Sequence, residues 1–88
     1  MYKLRLYVVE GTKNSMKAIH HLRAHLEEKV GNDYSLEIID VLKNPELADR
    51  DNILATPTIV KIVPAPIRKV MGDLSNSEMT FKRLGLPN

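Results

Sequence analysis

The chain has 88 residues, 43% of them hydrophobic, with 13 Lys or Arg against 11 Asp or Glu, a formal net charge of +2 and no cysteine. That length holds one small domain, residues 1–88, which buries only roughly 60% of the surface its unfolded chain exposes and has no disulfide to staple it. Charges of both signs interleave and the aromatics are one Phe, three Tyr and no Trp, which argues against nucleic-acid binding, where basic side chains gather on one face among stacking aromatics.

In chain order, Met1-Tyr2-Lys3-Leu4-Arg5 moves straight into a strand pattern, with no apolar core of signal-peptide length. No run approaches the length of a bilayer span, so a soluble, cytoplasmic chain with no membrane partner is expected. Leu4, Leu6 and Val8 alternate with Arg5 and Tyr7, the period of a strand with one face inward, ending near Glu10-Gly11. Asn14 or Ser15 then caps a helix along which Met16, Ile19, Leu22, Leu26 and Val30 recur at helical spacing, and Gly31-Asn32 stops it. Residues 34–42, rich in branched apolar side chains, read as a second strand. A strand, helix, strand succession makes the two strands parallel. Asn44-Pro45-Glu46 starts a short helix, with Asn as cap, Pro at the first helical position and an acid in the first turn.

Ala55-Thr56-Pro57-Thr58 leads into the apolar run Ile59–Val63. Proline is unusual at the entry to a buried strand, because it donates nothing to a ladder, and it is the one residue at which a cis peptide is cheap. Pro64-Ala65-Pro66 separates this run from residues 67–71, which predicts an antiparallel hairpin. After Gly72-Asp73, the spacing of Ser75 and Glu78 is that of a capping box, with Leu74 placed to staple on Met79 and Gly85 and Pro87 ending the helix. The order βαβαββα is that of a single thioredoxin-like α/β domain with a mixed four-stranded sheet. Such folds place Cys-x-x-Cys at the start of the first helix; here that position reads Gly11-Thr12-Lys13-Asn14, so thiol chemistry is excluded.

Other candidate chemistry has plainer explanations. His21 and His25 lie one helical turn apart beside His20, but they sit off the apolar stripe without a third ligand at suitable spacing, so solvated surface is expected and no metal. Asp40, within an apolar strand, is expected at the strand end, facing solvent or accepting backbone hydrogen bonds. Ser15 and Ser75 lack a histidine and an acid in context and read as caps. No catalytic residue and no cofactor site is expected.

Residues 39–45 (Ile-Asp-Val-Leu-Lys-Asn-Pro), Leu47-Ala48, residues 53–58 (Ile-Leu-Ala-Thr-Pro-Thr), Pro64, Pro66, Arg68 and Gly72-Asp73-Leu74-Ser75 together resemble the KaiB family of circadian clock proteins, from the first strand to about Glu78. The resemblance implies a protein that is not an enzyme. It implies binding to the ATPase ring of the hexameric KaiC, displacement of the thioredoxin-like sensor domain of the histidine kinase SasA, and sequestration of KaiA. It further implies a switch between a thioredoxin-like monomer and a resting tetramer whose C-terminal half is arranged differently, two packings separated by only a few kcal/mol. On that reading Pro57, Pro64, Pro66, Gly72 and Asp73 are fold-balance residues, the prolines because a slow X-Pro step would sit there. Lys43, Asn44, Lys61, Arg68 and Lys69 are expected to meet the partner, the four cations as a basic rim around the second strand and the hairpin.

The sequence departs from the family pattern after the last helix. Typical members continue into an apolar segment and an acidic tail, and the resting form needs the C-terminal stretch as a strand, whereas here the segment contains Gly85 and Pro87. The expectation is a monomer resting in the thioredoxin-like form, with the tetramer as the alternative. Three functional readings follow: a clock regulator, a divergent paralogue constitutively bound to another partner, and a thioredoxin-like redox enzyme, the last without its chemistry.

Overall fold

A computed structural model describes residues 1–72, Leu74 and residues 76–87. The elements are β1 (Tyr2–Val8), α1 (Lys13–Val30), β2 (Tyr34–Asp40), α2 (Pro45–Arg50), β3 (Thr58–Val63), β4 (Arg68–Met71) and α3 (Ser77–Leu84). The sheet order is β2-β1-β3-β4, with β1 parallel to β2 and both other pairings antiparallel. This is the thioredoxin-like α/β arrangement with the mixed four-stranded sheet.

Because β1 lies inside the sheet, both of its faces are covered, and its residues divide by parity. Leu4, Leu6 and Val8 join Ile59 and Val70 under Ala18, Leu22 and Leu26 of α1 and Phe81 and Leu84 of α3. On the other face Tyr7, Ile39 and Val60 make a smaller cluster, covered by Leu47, Ala48 and Ile53 from α2 and the turn after it. Tyr7, expected to face outward, is therefore fully buried. A central strand in a three-layer stack has no solvent face to offer it.

Helix α1 begins earlier than its sequence pattern suggests. The cap is Thr12, whose Oγ1 accepts from the Ser15 N–H at 3.3 Å, in place of Asn14 or Ser15. Released from capping, Ser15 points inward and its Oγ accepts from the Val9 N–H at 3.3 Å. The buried stripe is then Ser15, Ala18, Leu22 and Leu26; Ile19 and Val30 are half-buried, and Met16 is exposed. Small side chains mark where the start of the helix comes close to the sheet. Gly31, with φ of 65°, ends the helix in a conformation that costs glycine little.

Helix α2 starts as its sequence indicates, with Asn44 before Pro45 and Glu46 in the first turn. The Asn44 side chain does not cap it: its Nδ2 donates to the Asp40 carbonyl at 3.1 Å. The β3–β4 hairpin forms across Pro64-Ala65-Pro66, and the Thr56–Pro57, Val63–Pro64 and Ala65–Pro66 peptides are all cis.

For α3 the helix stands but its cap moves by one residue. Asn76 accepts from the Met79 N–H at 3.1 Å, and Ser75, the expected cap, lies outside the described residues, as does Asp73. Leu74 does not staple on Met79; it enters the main core while Met79 stays half exposed. The helix closes with Gly85 in the left-handed region at φ 76°, the Gly85 N–H donating to Lys82 O at 3.1 Å and the Leu86 N–H to Phe81 O at 2.9 Å. That double bond is a Schellman closure, and its accompanying apolar contact is present, since Leu86 and Phe81 both lie in the core.

The two readings of the α1 stripe differ by experiment. Leu22→Ala is expected to cost about 2–5 kcal/mol, and Met16→Ala to stay within about 0.5 kcal/mol, in chemical denaturation; equal losses would mean that the helix is rotated about its axis.

Candidate functional site

At the start of α1, where a thiol pair would stand, Gly11 has φ of 84° and Thr12, Lys13 and Asn14 open the helix. A cavity of about 430 Å³ lies here between Asn14 and Lys17, the Thr56-Pro57 turn, and Gly72 with Leu74. Its polar groups are an amide, an ammonium and a hydroxyl, suited to binding and not to nucleophilic attack. Ser15 faces the core, hydrogen-bonded to Val9.

Asp40 stands at the end of β2 and accepts hydrogen bonds, as expected of it. Its Oδ1 takes the Leu42 N–H at 2.8 Å, and its carbonyl takes the Lys43 and Asn44 N–H groups at 3.2 and 3.0 Å. This knot ends the strand two residues earlier than its apolar pattern suggests and turns the chain into α2. His20 and His21 are exposed, whereas His25 is half-buried with its ring 4.3 Å from that of Phe81 and its buried Nε2 without a hydrogen-bond partner. That corrects the expectation that all three are solvated. Among the described residues no group of three His, Asp or Glu side chains is placed to hold a metal ion.

The expected basic rim is divided by the sheet. Lys43 and Asn44 sit where β2 passes into α2, with the exposed Lys43 Nζ 3.0 Å from Glu10 Oε2, an ion pair that holds the ammonium above its ordinary range. Lys69 lies on the α2 face of the sheet, and its Nζ donates to the Asp51 and Asn52 carbonyls at 3.2 and 3.0 Å, at the C-terminal end of α2. Lys61 and Arg68 pair across β3 and β4 on the opposite face, toward α3, and Lys61 is only 2% exposed. Strand parity separates them: Lys61 shares the side of Ile59, and Lys69 shares that of Val60.

A polar clamp on the α2 face escaped the sequence reading. The Tyr7 hydroxyl donates to Asp51 Oδ2, Arg5 reaches Asp51 at 3.5 Å and Glu37 at 3.2 Å, and Lys69 holds the same turn through its carbonyls. Helix α2 buries no residue completely, so this network and the thin Tyr7 cluster hold it down. Beside it stand two large apolar side chains in solvent, Leu42 and Leu54, 73% and 76% exposed. Exposed leucines flanking a lightly docked helix, with Lys43 and Lys69 close by, make a surface suited to a protein partner. Leu42 was hidden from sequence reading because it ends an apolar run that looks like a strand interior. Of the fold-balance residues, Pro57 and Gly72 adjoin the α1 cavity, the Gly72 N–H donating to Pro57 O at 3.0 Å with φ of 97° at the glycine, and Pro64 and Pro66 form the hairpin loop.

Fold and surface together define a class: a thioredoxin-like domain without cysteine, with exposed leucines beside its second helix. Comparison with known proteins supplies the family. A family model described as the KaiB domain matches residues 5–86, and the chain belongs to the KaiB family. It is 51% identical over 85 residues to the circadian clock oscillator protein KaiB of Microcystis aeruginosa, covering 97% of this chain and 82% of that one. It is likewise 51% identical to the oscillator protein KaiB1 of a Synechocystis strain, with 97% and 81% covered. Among solved structures it is similar to the N-terminal domain of Synechococcus elongatus SasA, at TM-score 0.68 and 24% identity over 96% of this chain and 83% of that one. Yeast mitochondrial thioredoxin 3 is similar at TM-score 0.76 and 18% identity, with 96% and 76% covered. These two likenesses establish the fold.

The clamp has a pH signature. Burial, then the hydrogen bond to Asp51 and its charge, push the Tyr7 phenol from 10.0 up to about 12. A proton held more tightly in the folded state stabilises below the unfolded pKa, so this contribution is complete below pH 10.0 and is lost as pH rises through about 12. In Tyr7→Phe the late step of the tyrosinate absorbance titration should vanish, together with the alkaline stability loss it causes. A titration curve unchanged by the substitution would place the late step on another tyrosine.

Proposed function

We propose that this chain is a non-enzymatic circadian clock regulator, acting in the cytoplasm, which binds a KaiC-type hexameric ATPase ring, displaces a SasA-type sensor domain from it and helps to sequester KaiA. The observation that carries this reading is the pairing of about 51% identity to clock oscillator proteins with the fold of the SasA sensor domain. A shared fold is compatible with competition for a single docking place, and the identity to clock oscillator proteins carries the rest of the reading. The partner surface is the α2 face, with Lys43, Asn44 and Lys69 beside Leu42 and Leu54. Arg68 and Lys61, on the other side of the sheet, lie outside that contact. No described helix is long and apolar enough to cross a membrane.

The thioredoxin-like form is also the resting form. Extending residues 80–86 would pull Phe81, Leu84 and Leu86 out of the core, where each is at most 5% exposed, and would undo the Schellman closure. Removing such side chains from a core costs roughly 2 kcal/mol each, which exceeds the few kcal/mol that separate the two states of a switching fold unless new burial between subunits restores it.

Light scattering of the purified chain is expected to give a monomer mass, and a tetramer would refute the resting-form proposal. A pull-down with purified KaiC in its ATP-hydrolysing state should retain the chain, and Lys43→Glu should weaken retention roughly tenfold with diminished salt sensitivity. A folded monomer that is not retained would point to a paralogue with another partner. Replacing Gly72, at φ 97°, with Ala should destabilise the fold by about 1 kcal/mol; an unchanged denaturation midpoint would remove it from the fold-balance set.

A further inference from the structure

Lys61 is the one buried lysine among the described residues, 2% exposed in the middle of the sheet. Among the described residues it has no salt-bridge partner. The ion pairs of the described residues involve Met1, Arg5, Lys29 and Lys43, and none includes Lys61 or Arg68. Its cross-strand partner is a second cation, Arg68. Both side chains converge on one point: a Cβ built on Gly85 would stand 3.6 Å from Lys61 Nζ and 3.8 Å from Arg68 Nε. Because residue 85 is glycine, no side chain of its own fills that point.

Among the described residues the charge around this point is unbalanced. The last turn of α3 adds Lys82 and Arg83, and the end of that helix offers only the partial negative charge of its last carbonyls. Two of those carbonyls, on Phe81 and Lys82, already accept the Leu86 and Gly85 N–H groups. Burial, and then Arg68, hold the Lys61 ammonium below its ordinary range. A lysine with a buried stem whose ammonium stands beside a like charge is held at a cost without a counter-charge, and the exposed Arg68 leaves a way in from solvent.

We propose that Lys61 and Arg68, over Gly85, form a binding site for a phosphate-type oxoanion, clamped between the ammonium and the guanidinium. The guanidinium fork suits oxygen pairs of this kind and the ammonium adds a point charge. Two convergent cations, with Lys82 and Arg83 in the adjoining helix turn, favour a dianion over a singly charged carboxylate. Since the ligand bridges the sheet to the end of α3, it stabilises the helical C-terminal form by mass action. The site is independent of the α2 face and stands whether or not the partner reading holds.

The test is a titration of the full chain with inorganic phosphate at constant ionic strength, followed by amide NMR and by thermal unfolding. A parallel arm uses glycerol phosphate, and acetate serves as the carboxylate control. Expected are saturable shifts at Arg68, Gly85 and Leu86, a rise in Tm with phosphate, and affinity for acetate at least about tenfold weaker. Lys61→Met should lose the saturable shifts and the Tm rise, and Arg68→Gln, at an exposed position, should weaken binding about tenfold while folding normally. Response to glycerol phosphate alone would support the site and identify its ligand as an organic phosphate. Absence of saturation with both phosphates, acetate binding as tightly, or an unaltered response in Arg68→Gln would overturn the proposal, even if Lys61→Met fails to fold.

Discussion

The structure depends on the packing of α3 and the turn after it against the sheet. Phe81, Leu84 and Leu86 occupy the same core as Leu4, Leu6, Leu22 and Ile59, and the double hydrogen bond at Gly85 and Leu86 fixes the last of them. With no disulfide and a short chain, apolar burial is the main source of stability. Withdrawing three large side chains at its end would remove much of one core face. The same contact leaves the opposite face of the sheet to α2 alone.

That division makes the two faces unequal. The face under α1 and α3 is a contiguous apolar cluster, whereas the face under α2 has a cluster of three buried side chains and relies on Arg5, Tyr7, Asp51 and Lys69. Polar clamps of this kind fix position more than they add stability, because each bond replaces one made with water. Helix α2 and its flanking leucines therefore belong to the less stable part of the molecule, from which partner-binding elements are commonly drawn. Asp40 joins this surface to the rigid part by holding the turn at the end of β2.

Much of this was legible in the residues, and the reasons are local. Period-two alternation gave β1, Asn44-Pro45 gave the start of α2, and Gly85 gave the end of α3. The motif set shared with the KaiB family was readable because it lies in the turns and strand ends that the fold repeats. What could not be read depends on neighbours distant in sequence. Tyr7 is buried because β1 is central, and Ser15 and Ala18 are core because α1 approaches the sheet closely there. The five proposed contact residues could not be sorted by side, since Lys61 and Lys69 look alike until the β3–β4 register gives them opposite faces. Arg5 and Asp51 are far apart in sequence, and no spacing rule connects them.

The central claim, that the C-terminal segment is helical and docked in the resting protein, is tested most directly by native-state amide hydrogen exchange at Leu86. Its N–H is bonded to Phe81 O at 2.9 Å, so exchange is expected to be slow and to require opening of α3, with an opening free energy matching that of Phe81 and Leu84. Exchange at the rate of an unstructured peptide, while the Leu22 amide stays protected, would contradict the account.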